Sequence, residues 1–177
     1  MNEWKKIELP LTQSDIAGLK CGEMCLLSGR LLTARDRAHQ RIAMMIEEGL
    51  EPPFSLAGET IYYVGPTPAP PGKVIGAAGP TTSSRMDPFT EIMLGLGVKG
   101  MIGKGRRDSL TKELIRQHGA VYFSSIGGAG AYLSKRIRAC RVLAFEDLAT
   151  EAIYELTVED FPVVVAVDSH GEDIYES

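Results

Sequence analysis

The stretch Gly79-Pro80-Thr81-Thr82-Ser83-Ser84-Arg85-Met86-Asp87-Pro88 decides the fold class of this chain. The largely apolar run 73–78 before it predicts a buried strand. Asp87 followed by Pro88 predicts a helix over 88–96, with Asp87 as the N-cap and proline at the first helical position. A strand that enters a helix through a short polar loop is the repeating unit of α/β proteins.

The alternation of strands and helices continues after this stretch. Short apolar runs predict strands at 100–102, 120–123, 142–144, 153–158 and 163–167, and helices are predicted at 110–118 and 130–137. The last strand is apolar enough to be buried on both faces, as in a parallel sheet. The sequence therefore predicts an α/β fold with a mostly parallel central sheet.

The first third of the chain is richer in predicted strands. The runs 23–27 and 30–32 lie on either side of Ser28-Gly29, a turn signal, and together they indicate a hairpin. The residues 61–64 have the composition of a further strand. We therefore expect a second strand layer beside the central sheet.

A helix is predicted between these strands. Apolar residues fall on one stripe over 34–49, with Thr33 as the N-cap and Gly49 as the stop signal. The proline-rich segment 65–72 is interpreted as a stiff internal connector, because neither side of it alone has a complete layered pattern. One domain over 1–177 is the resulting prediction.

The composition is that of an ordinary globular protein. Hydrophobic residues make up 44% and charged residues 24% of the 177 residues, and the formal net charge is −4. The acidic balance argues against a nucleic-acid partner. No apolar run approaches the roughly 20 residues that span a bilayer, and the polar first residues are not followed by the apolar core of a signal peptide. We therefore expect a cytoplasmic protein without a membrane partner.

The polar loop 79–87 predicts an anion-binding site. A helix N-terminus concentrates backbone N–H groups and the positive end of the helix dipole. Four consecutive hydroxyl side chains and Arg85 add donors, and an arginine can grip a carboxylate with two parallel hydrogen bonds. Capping and turn chemistry would account for Asp87 and one hydroxyl only, so anion binding is the favoured interpretation.

Two further segments carry candidate cations. Lys104 lies between two glycines after the strand predicted at 100–102, in a loop without the Walker A pattern. A solvated basic turn would explain this loop if it stood alone. Arg35 and His39 are four residues apart on one helix face. Arg35 is the better candidate for a ligand contact, since a lone histidine there is more often structural.

Two other patterns are weaker. The glycine-rich segment 124–130 follows a strand but does not match the dinucleotide-binding spacing, so a tight turn is favoured over a backbone anion contact. Cys21, Cys25 and Cys140 lack the spacing of iron–sulfur ligands, and their odd number argues against a disulfide scaffold. Buried thiols that act as small apolar groups are the favoured interpretation.

Taken together, the motifs resemble a known family. They occur in this order: Arg35-Asp36-Arg37-Ala38-His39, Tyr63-Val64-Gly65-Pro66, Gly79-Pro80-Thr81-Thr82-Ser83-Ser84-Arg85-Met86-Asp87, Ile102-Gly103-Lys104-Gly105, Ser125-Ile126-Gly127-Gly128-Ala129 and Val158-Glu159-Asp160-Phe161-Pro162. The chain is similar over roughly 7–170 to the C-terminal domain of class I fumarases and to the β subunit of two-subunit fumarases and tartrate dehydratases. The segment 79–87 is the most specific part of the resemblance.

The resemblance implies a fold and a reaction. The fold would be the swivelling β/β/α domain. The reaction would be the hydration of fumarate to (S)-malate and its reversal, with dehydration of L(+)-tartrate to oxaloacetate as the alternative. A [4Fe–4S] cluster would be held by the cysteines of an α subunit and not by this chain. An α2β2 assembly or a dimer through the β subunits would follow.

The resemblance also assigns residues. Arg35 and Arg85 would bind the dicarboxylate, and Thr81 and Lys104 would be catalytic, with Thr81 as the base. The sequence Gly105-Arg106-Arg107 departs from the pattern of the family, so no role is carried over to the two arginines.

Two other classes of function stay open at this point. One is a non-catalytic assembly module that binds a carboxylate or phosphate metabolite through the loop 81–85. The other is a self-sufficient metalloprotein that uses the three cysteines.

Overall fold

A computed structural model describes residues 3–125 and 129–176, which form a mixed α/β fold. The strands are β1 (Lys5–Glu8), β2 (Met24–Thr33), β3 (Thr60–Tyr62), β4 (Gly100–Gly103), β5 (Val121–Ser124), β6 (Ile137–Ala144) and β7 (Ile153–Val167). The α-helices are α1 (Gln13–Gly18), α2 (Asp36–Glu47), α3 (Asp87–Gly95), α4 (Ser109–Gln117) and α5 (Gly130–Ser134), and 3₁₀ helices span Ser83–Met86 and Glu146–Glu151. None of the helices in the described part has the length and apolar composition needed to cross a membrane.

The described strands form one seven-stranded sheet in the order β1-β2-β3-β4-β5-β7-β6. The first five strands pair in parallel, and β7 runs antiparallel to β2, β5 and β6. Because β7 bonds to both β2 and β5, the strands β2, β3, β4, β5 and β7 close into a ring of hydrogen-bonded neighbours. The predicted α/β class is confirmed, but the described strands join one sheet, so the expected second strand layer is not a separate sheet.

The predicted hairpin at Ser28-Gly29 is wrong, because β2 runs through both residues. Its register with β7 shifts between Leu27 and Gly29, which marks a bulge. Gly29 has a φ of 121°, and a Cβ there would lie 2.8 Å from the carbonyl oxygen of Leu9. The glycine permits the close approach of another chain segment and does not reverse the strand.

The two strands predicted at 153–158 and 163–167 are merged in the structure. β7 passes through Asp160, which has a φ of 50°, and through Pro162, without leaving the sheet. The sequence suggested a break at these residues because proline lacks the N–H of a ladder hydrogen bond. The strand predicted at 142–144 is likewise only the end of β6.

The strand predicted at 73–78 is also wrong. The segment is irregular and bonds to the proline-rich connector: Gly76 N–H donates to the Thr67 carbonyl at 3.2 Å, and Ala77 N–H donates to Thr67 Oγ1 at 2.8 Å. Val74 is 48% exposed. The apolar composition reflects packing of a loop, because these backbone groups pair with another loop and not with a strand.

The helix predicted over 34–49 is confirmed as α2, but its predicted N-cap is wrong. Arg35 occupies the cap position, and Thr33 ends β2, where its hydroxyl accepts a hydrogen bond from Tyr154 N–H at 3.0 Å. Gly49, with a φ of 74°, follows the helix as the stop signal predicts.

Side chains of the sheet alternate between two buried clusters. Leu31, Tyr62, Ile102 and Phe123 belong to the first, and their neighbours Leu32, Tyr63, Met101 and Tyr122 belong to the second. The helices α2, α3 and α4 pack into the second cluster through the residues Ala38, Ile42, Met93, Leu94, Leu114 and Ile115. Three helices therefore cover one face of the central strands.

The carboxyl ends of the parallel strands β2, β3, β4 and β5 lie side by side and form one edge of the sheet. This edge is where α/β proteins place their ligands. Arg35 follows β2, Tyr63 follows β3, Lys104 follows β4 and Ser125 follows β5. The topology thus brings residues that are up to 90 positions apart to a common edge.

Candidate functional site

The loop that carries Thr81 is hydrogen bonded to this edge. Thr81 N–H donates to the Tyr63 carbonyl at 2.7 Å, and Lys104 N–H donates to the Thr81 carbonyl at 3.2 Å. Ser83 N–H then donates to the Lys104 carbonyl at 2.9 Å, so that Thr82 and Lys104 form a parallel bridge. Two predicted catalytic residues, Thr81 and Lys104, are therefore fixed on adjacent backbone segments.

The tyrosine hydroxyl of Tyr122 joins the same two loops. It donates to the Gly105 carbonyl at 2.7 Å and accepts from Ser83 Oγ at 2.7 Å. Tyr122 is fully buried, and burial raises the pKa of its hydroxyl. The hydroxyl therefore stays protonated and can keep donating to the loop of Lys104.

Gly103 leaves room for this contact between the loops. A Cβ at Gly103 would lie 2.0 Å from Ser83 Oγ and 2.8 Å from the Tyr63 ring. Because Ser83 and Tyr63 are buried, neither side chain can move away freely. The glycine is thus required for the close packing of the two loops.

The variant Gly103→Ala is expected to lower the free energy of unfolding by about 1–3 kcal/mol, the usual cost of overpacking. Gly95→Ala is the matched control, since a Cβ at that helical position meets nothing within 4 Å. We expect it to raise stability by up to about 1 kcal/mol. Urea unfolding of both variants measures the difference, and equal stability of the two would contradict the packing argument.

Arg85 is held by a carboxylate on α2. Its Nε donates to Asp36 Oδ1 at 3.0 Å and its Nη2 to Asp36 Oδ2 at 2.5 Å. The Arg85 side chain is 53% exposed, whereas that of Asp36 is 23% exposed. The sequence did not indicate this pairing, because the two residues are 49 positions apart.

Arg35 lies beside the segment that follows β3. Its guanidinium carbon is 2.9 Å from the position of a Cβ on Gly65, so this glycine leaves room for the arginine. Arg35 Nε is buried 3.2 Å from Glu151 Oε1 and has no well-directed hydrogen bond within the described part of the chain. The arginine is thus held by the charge of Glu151.

The remaining two predicted groups, Thr81 and Lys104, have no side-chain partner among the described residues. In residues 3–125 and 129–176, no carboxylate pairs with the Lys104 ammonium and no side chain bonds the Thr81 hydroxyl. Thr81 is only 8% exposed and Lys104 is partly buried. The edge therefore offers three cationic side chains and a hydroxyl on segments that contact one another. Arg35 and Arg85 already face the carboxylates of Glu151 and Asp36, so such a set can orient a small dianion through its guanidinium donors, with Lys104 as the cation that no described carboxylate pairs.

His39 has a structural environment. Its Nδ1–H donates to the Arg35 carbonyl at 2.8 Å, and its ring packs against Tyr63 and Phe89. Burial lowers the pKa of His39 to about 4. The ring is therefore neutral at physiological pH and fixes the backbone of Arg35.

Acid should destabilise the protein through His39. Below pH 6.5 the unfolded chain binds a proton at this residue while the folded chain stays neutral down to a pKa of about 4, so stability falls across that interval. Between pH 7 and pH 5 the expected contribution is on the order of 2 kcal/mol. Urea unfolding at both pH values should show a smaller difference for His39→Asn than for the unaltered chain. An unchanged difference would mean that another group causes the acid sensitivity.

Asp87 is not the N-cap that the sequence predicts. It is the first residue of α3, after Met86, and its carboxylate accepts from Arg107 Nε at 2.5 Å and from Asp108 N–H at 3.0 Å. Arg107 is buried, and its Nη2 also donates to Thr90 Oγ1 at 2.8 Å. This buried pair ties the helix after the Thr81 loop to the loop of Lys104.

The helix predicted at 110–118 is confirmed as α4, with Asp108 as its cap. The Asp108 carboxylate accepts from Thr111 N–H at 2.7 Å. In the loop 124–130, the residues 126–128 lie outside the described part, so the predicted turn is not tested there. Ser125 Oγ is buried and has no hydrogen-bond partner among the residues that the structure describes.

The three cysteines do not fit an iron–sulfur cluster. Each is a free thiol, and burial raises the pKa of Cys25 to about 11 and also raises those of Cys21 and Cys140. Cluster ligands are thiolates, which this environment disfavours. The described residues contain no group of three or more His, Cys, Asp or Glu side chains placed to hold a metal ion.

Comparison with known proteins gives the family. The family model described as Fumarase C-terminus matches residues 1–177. Fumarate hydratase 2 of Leishmania major is 38% identical over 156 residues, which are 87% of this chain and 28% of the relative. The anaerobic class I fumarate hydratase of Escherichia coli is 36% identical over 152 residues, 85% of this chain and 28% of the relative.

A relative of similar length has a different name. The putative L(+)-tartrate dehydratase subunit beta of Methanocaldococcus jannaschii is 37% identical over 175 residues, 94% of this chain and 88% of the relative. The chain thus spans under a third of the fumarate hydratases it matches and most of a separate β subunit. Because the family model covers the whole chain, this protein belongs to the Fumarase C-terminus family.

Proposed function

We propose that this chain is the β subunit of a hydro-lyase that interconverts fumarate and (S)-malate together with an α subunit. The arrangement that carries the proposal is the hydrogen-bonded pairing of the Thr81 and Lys104 segments at the sheet edge that Arg35 and Arg85 also occupy. The relatives named fumarate hydratase support the reaction. The relative named tartrate dehydratase subunit beta supports a separate partner chain.

The substrate would be held by its two carboxylates. Arg35 and Arg85 bind and orient the dianion, since guanidinium groups match carboxylates in charge and geometry. Negative charge builds up on one carboxylate as the C–H bond next to it is broken. A preorganised cation such as Lys104 or Arg85 lowers that barrier.

Thr81 is the proposed proton acceptor. A free hydroxyl is a poor base and needs an activating group. In the described part of the chain, no carboxylate or imidazole bonds its hydroxyl. The activating group therefore belongs to the α subunit in this proposal.

A [4Fe–4S] cluster in the α subunit would act as a Lewis acid on the substrate hydroxyl. The poor fit of the cysteines in this chain supports that location. We further propose the swivelling β/β/α arrangement, a cytoplasmic location and an α2β2 assembly or a dimer through the β subunits. The closed ring of strands covered by helices supports the first of these.

The experiment that tests the function compares the chain with and without its partner. The chain is purified alone and co-produced with the α subunit of a two-subunit relative, and fumarate hydration is assayed under anaerobic conditions. Activity only in the mixture supports the proposal. Carboxylate binding without activity in any mixture would instead indicate a non-catalytic binding module. Iron and sulfide bound to the chain alone would indicate a self-sufficient metalloprotein.

Dehydration of L(+)-tartrate is the second candidate. The relative with the greatest mutual coverage among those compared carries that name. Values of kcat/KM for fumarate, (S)-malate and L(+)-tartrate on the same complex decide between the two. A preference for tartrate would move the assignment to tartrate dehydratase without changing the class of reaction.

A further inference from the structure

Among residues 3–125 and 129–176, the ion pair between Asp36 and Arg85 occupies one edge of the guanidinium and leaves the other edge free. A guanidinium can meet carboxylates along two edges, one formed by Nε and one Nη, the other by both Nη atoms. Asp36 occupies the first edge, with Nε and Nη2 as donors. The edge formed by Nη1 and Nη2 remains for a second carboxylate.

Asp36 is held in place more firmly than its partner Arg85. Asp36 opens α2, whose residues Ala38 and Ile42 are fully buried. The helix is also tied to a neighbouring 3₁₀ helix by Arg41, which donates from Nη1 and Nη2 to Asp147 at 2.7 Å each. Arg85 lies on a 3₁₀ turn, and its side chain is more than half exposed.

An exposed arginine loses much conformational freedom when it binds a ligand in one geometry. The carboxylate on the buried helix removes that freedom in advance, because a bidentate contact fixes both the position and the plane of the guanidinium. Asp36 would therefore determine which way the free edge of Arg85 faces.

We propose that Asp36 is a positioning residue that presents the Nη1–Nη2 edge of Arg85 to a carboxylate of the substrate. This inference rests on the proposed function for the identity of the substrate. Asp36 does not touch the substrate and acts through Arg85 alone. Its effect should vanish when residue 85 can no longer donate two parallel hydrogen bonds to the Asp36 carboxylate.

The test is a double-mutant cycle in the complex with the α subunit, with fumarate and (S)-malate as substrates. Asp36→Asn should lower kcat/KM by about 10²-fold, the cost of a misplaced binding group. In the background of Arg85→Lys, which lacks the planar fork, the same change should alter kcat/KM within about twofold. An equal loss in both backgrounds, or no loss in either, would overturn the positioning role.

Asp147→Asn is the matched control. It removes a carboxylate from another bidentate arginine pair of α2, one in which the acid side chain is 66% exposed. We expect kcat/KM to stay unchanged. A loss like that of Asp36→Asn would show that any disturbance of α2 lowers activity, and the proposal would then fail.

A second measurement does not depend on catalysis. In the ¹⁵N-labelled full chain, the guanidinium signals of Arg85, assigned by their loss in Arg85→Lys, report rotation about the Nε–Cζ bond. Rotation that is slow in the unaltered chain and fast in Asp36→Asn would support the positioning role of Asp36. Fast rotation in both proteins would contradict it. If the unaltered complex acts on none of the diacids, the proposed function fails, and this measurement still decides whether Asp36 holds Arg85.

Discussion

Replacing Arg85 by alanine is expected to lower kcat/KM for fumarate by about 10³-fold in the complex with the α subunit. The loss removes one of the cations that grip the dianion and stabilise charge in the transition state, and single groups of this kind contribute about 10²–10³. The fold should survive. The Arg85–Asp36 pair is half exposed, and such pairs contribute about 0.2–1 kcal/mol to stability.

Steady-state kinetics with fumarate and (S)-malate, together with thermal unfolding, measure both effects. Arg41→Ala is the matched control, because Arg41 on α2 also makes a bidentate contact, through Nη1 and Nη2, but with Asp147 of the 3₁₀ helix Glu146–Glu151. It should leave kcat/KM unchanged. Near-normal activity of Arg85→Ala would remove Arg85 from the substrate site.

Arg85→Lys separates charge from geometry. It keeps the positive charge but lacks the two parallel donors of the guanidinium. An activity between those of arginine and alanine is expected. If lysine restored full activity, the positive charge alone would suffice and the fork geometry would have no role.

The local sequence pattern predicted the α/β class and the helices α2, α3 and α4, because each rests on short-range signals. Amphipathic spacing and glycine stops located α2 and α4 within a few residues. The strand end before Lys104 also indicated where that residue would lie, whereas Thr81 follows an irregular segment and not the strand predicted at 73–78. These features depend on residues that are neighbours in the sequence, so they can be recognised from the sequence alone.

The errors share one physical cause, which is contact with distant segments. Ser28-Gly29 has the composition of a turn, but the small size and conformational freedom of Gly29 instead permit the close approach of Leu9 to β2. The apolar run 73–78 has the composition of a strand, but its backbone bonds to Thr67 in the connector. No local pattern reports which distant segment will supply a hydrogen bond.

The same limit applies to the candidate site. The resemblance named Arg35, Thr81, Arg85 and Lys104 as residues, but it did not indicate which carboxylates would hold the arginines. Asp36 appeared only as one residue of the motif Arg35-Asp36-Arg37-Ala38-His39. Its contact with Arg85 depends on the packing of α2 against the 3₁₀ turn.

The largest stability effect is expected for Asp87→Ala, which leaves the guanidinium of Arg107 buried without its counter-charge. The two side chains are 5% and 0% exposed, respectively, and the carboxylate also accepts from Asp108 N–H. Removal of one partner of a buried pair costs about 3–5 kcal/mol. Urea unfolding at pH 7 measures this loss, and Asp147→Ala in an exposed pair should cost about 1 kcal/mol or less.

The double variant Asp87→Ala with Arg107→Met tests the cause of that loss. The Arg107 guanidinium packs 5.3 Å from the ring centre of Tyr63 and 4.8 Å from that of Tyr122. Methionine fills part of this space and carries no charge. If the uncompensated charge is what destabilises Asp87→Ala, the double variant should be more stable than the single one. A double variant that is less stable would show that packing against the two tyrosines, and not the ion pair, makes Arg107 necessary between the two loops.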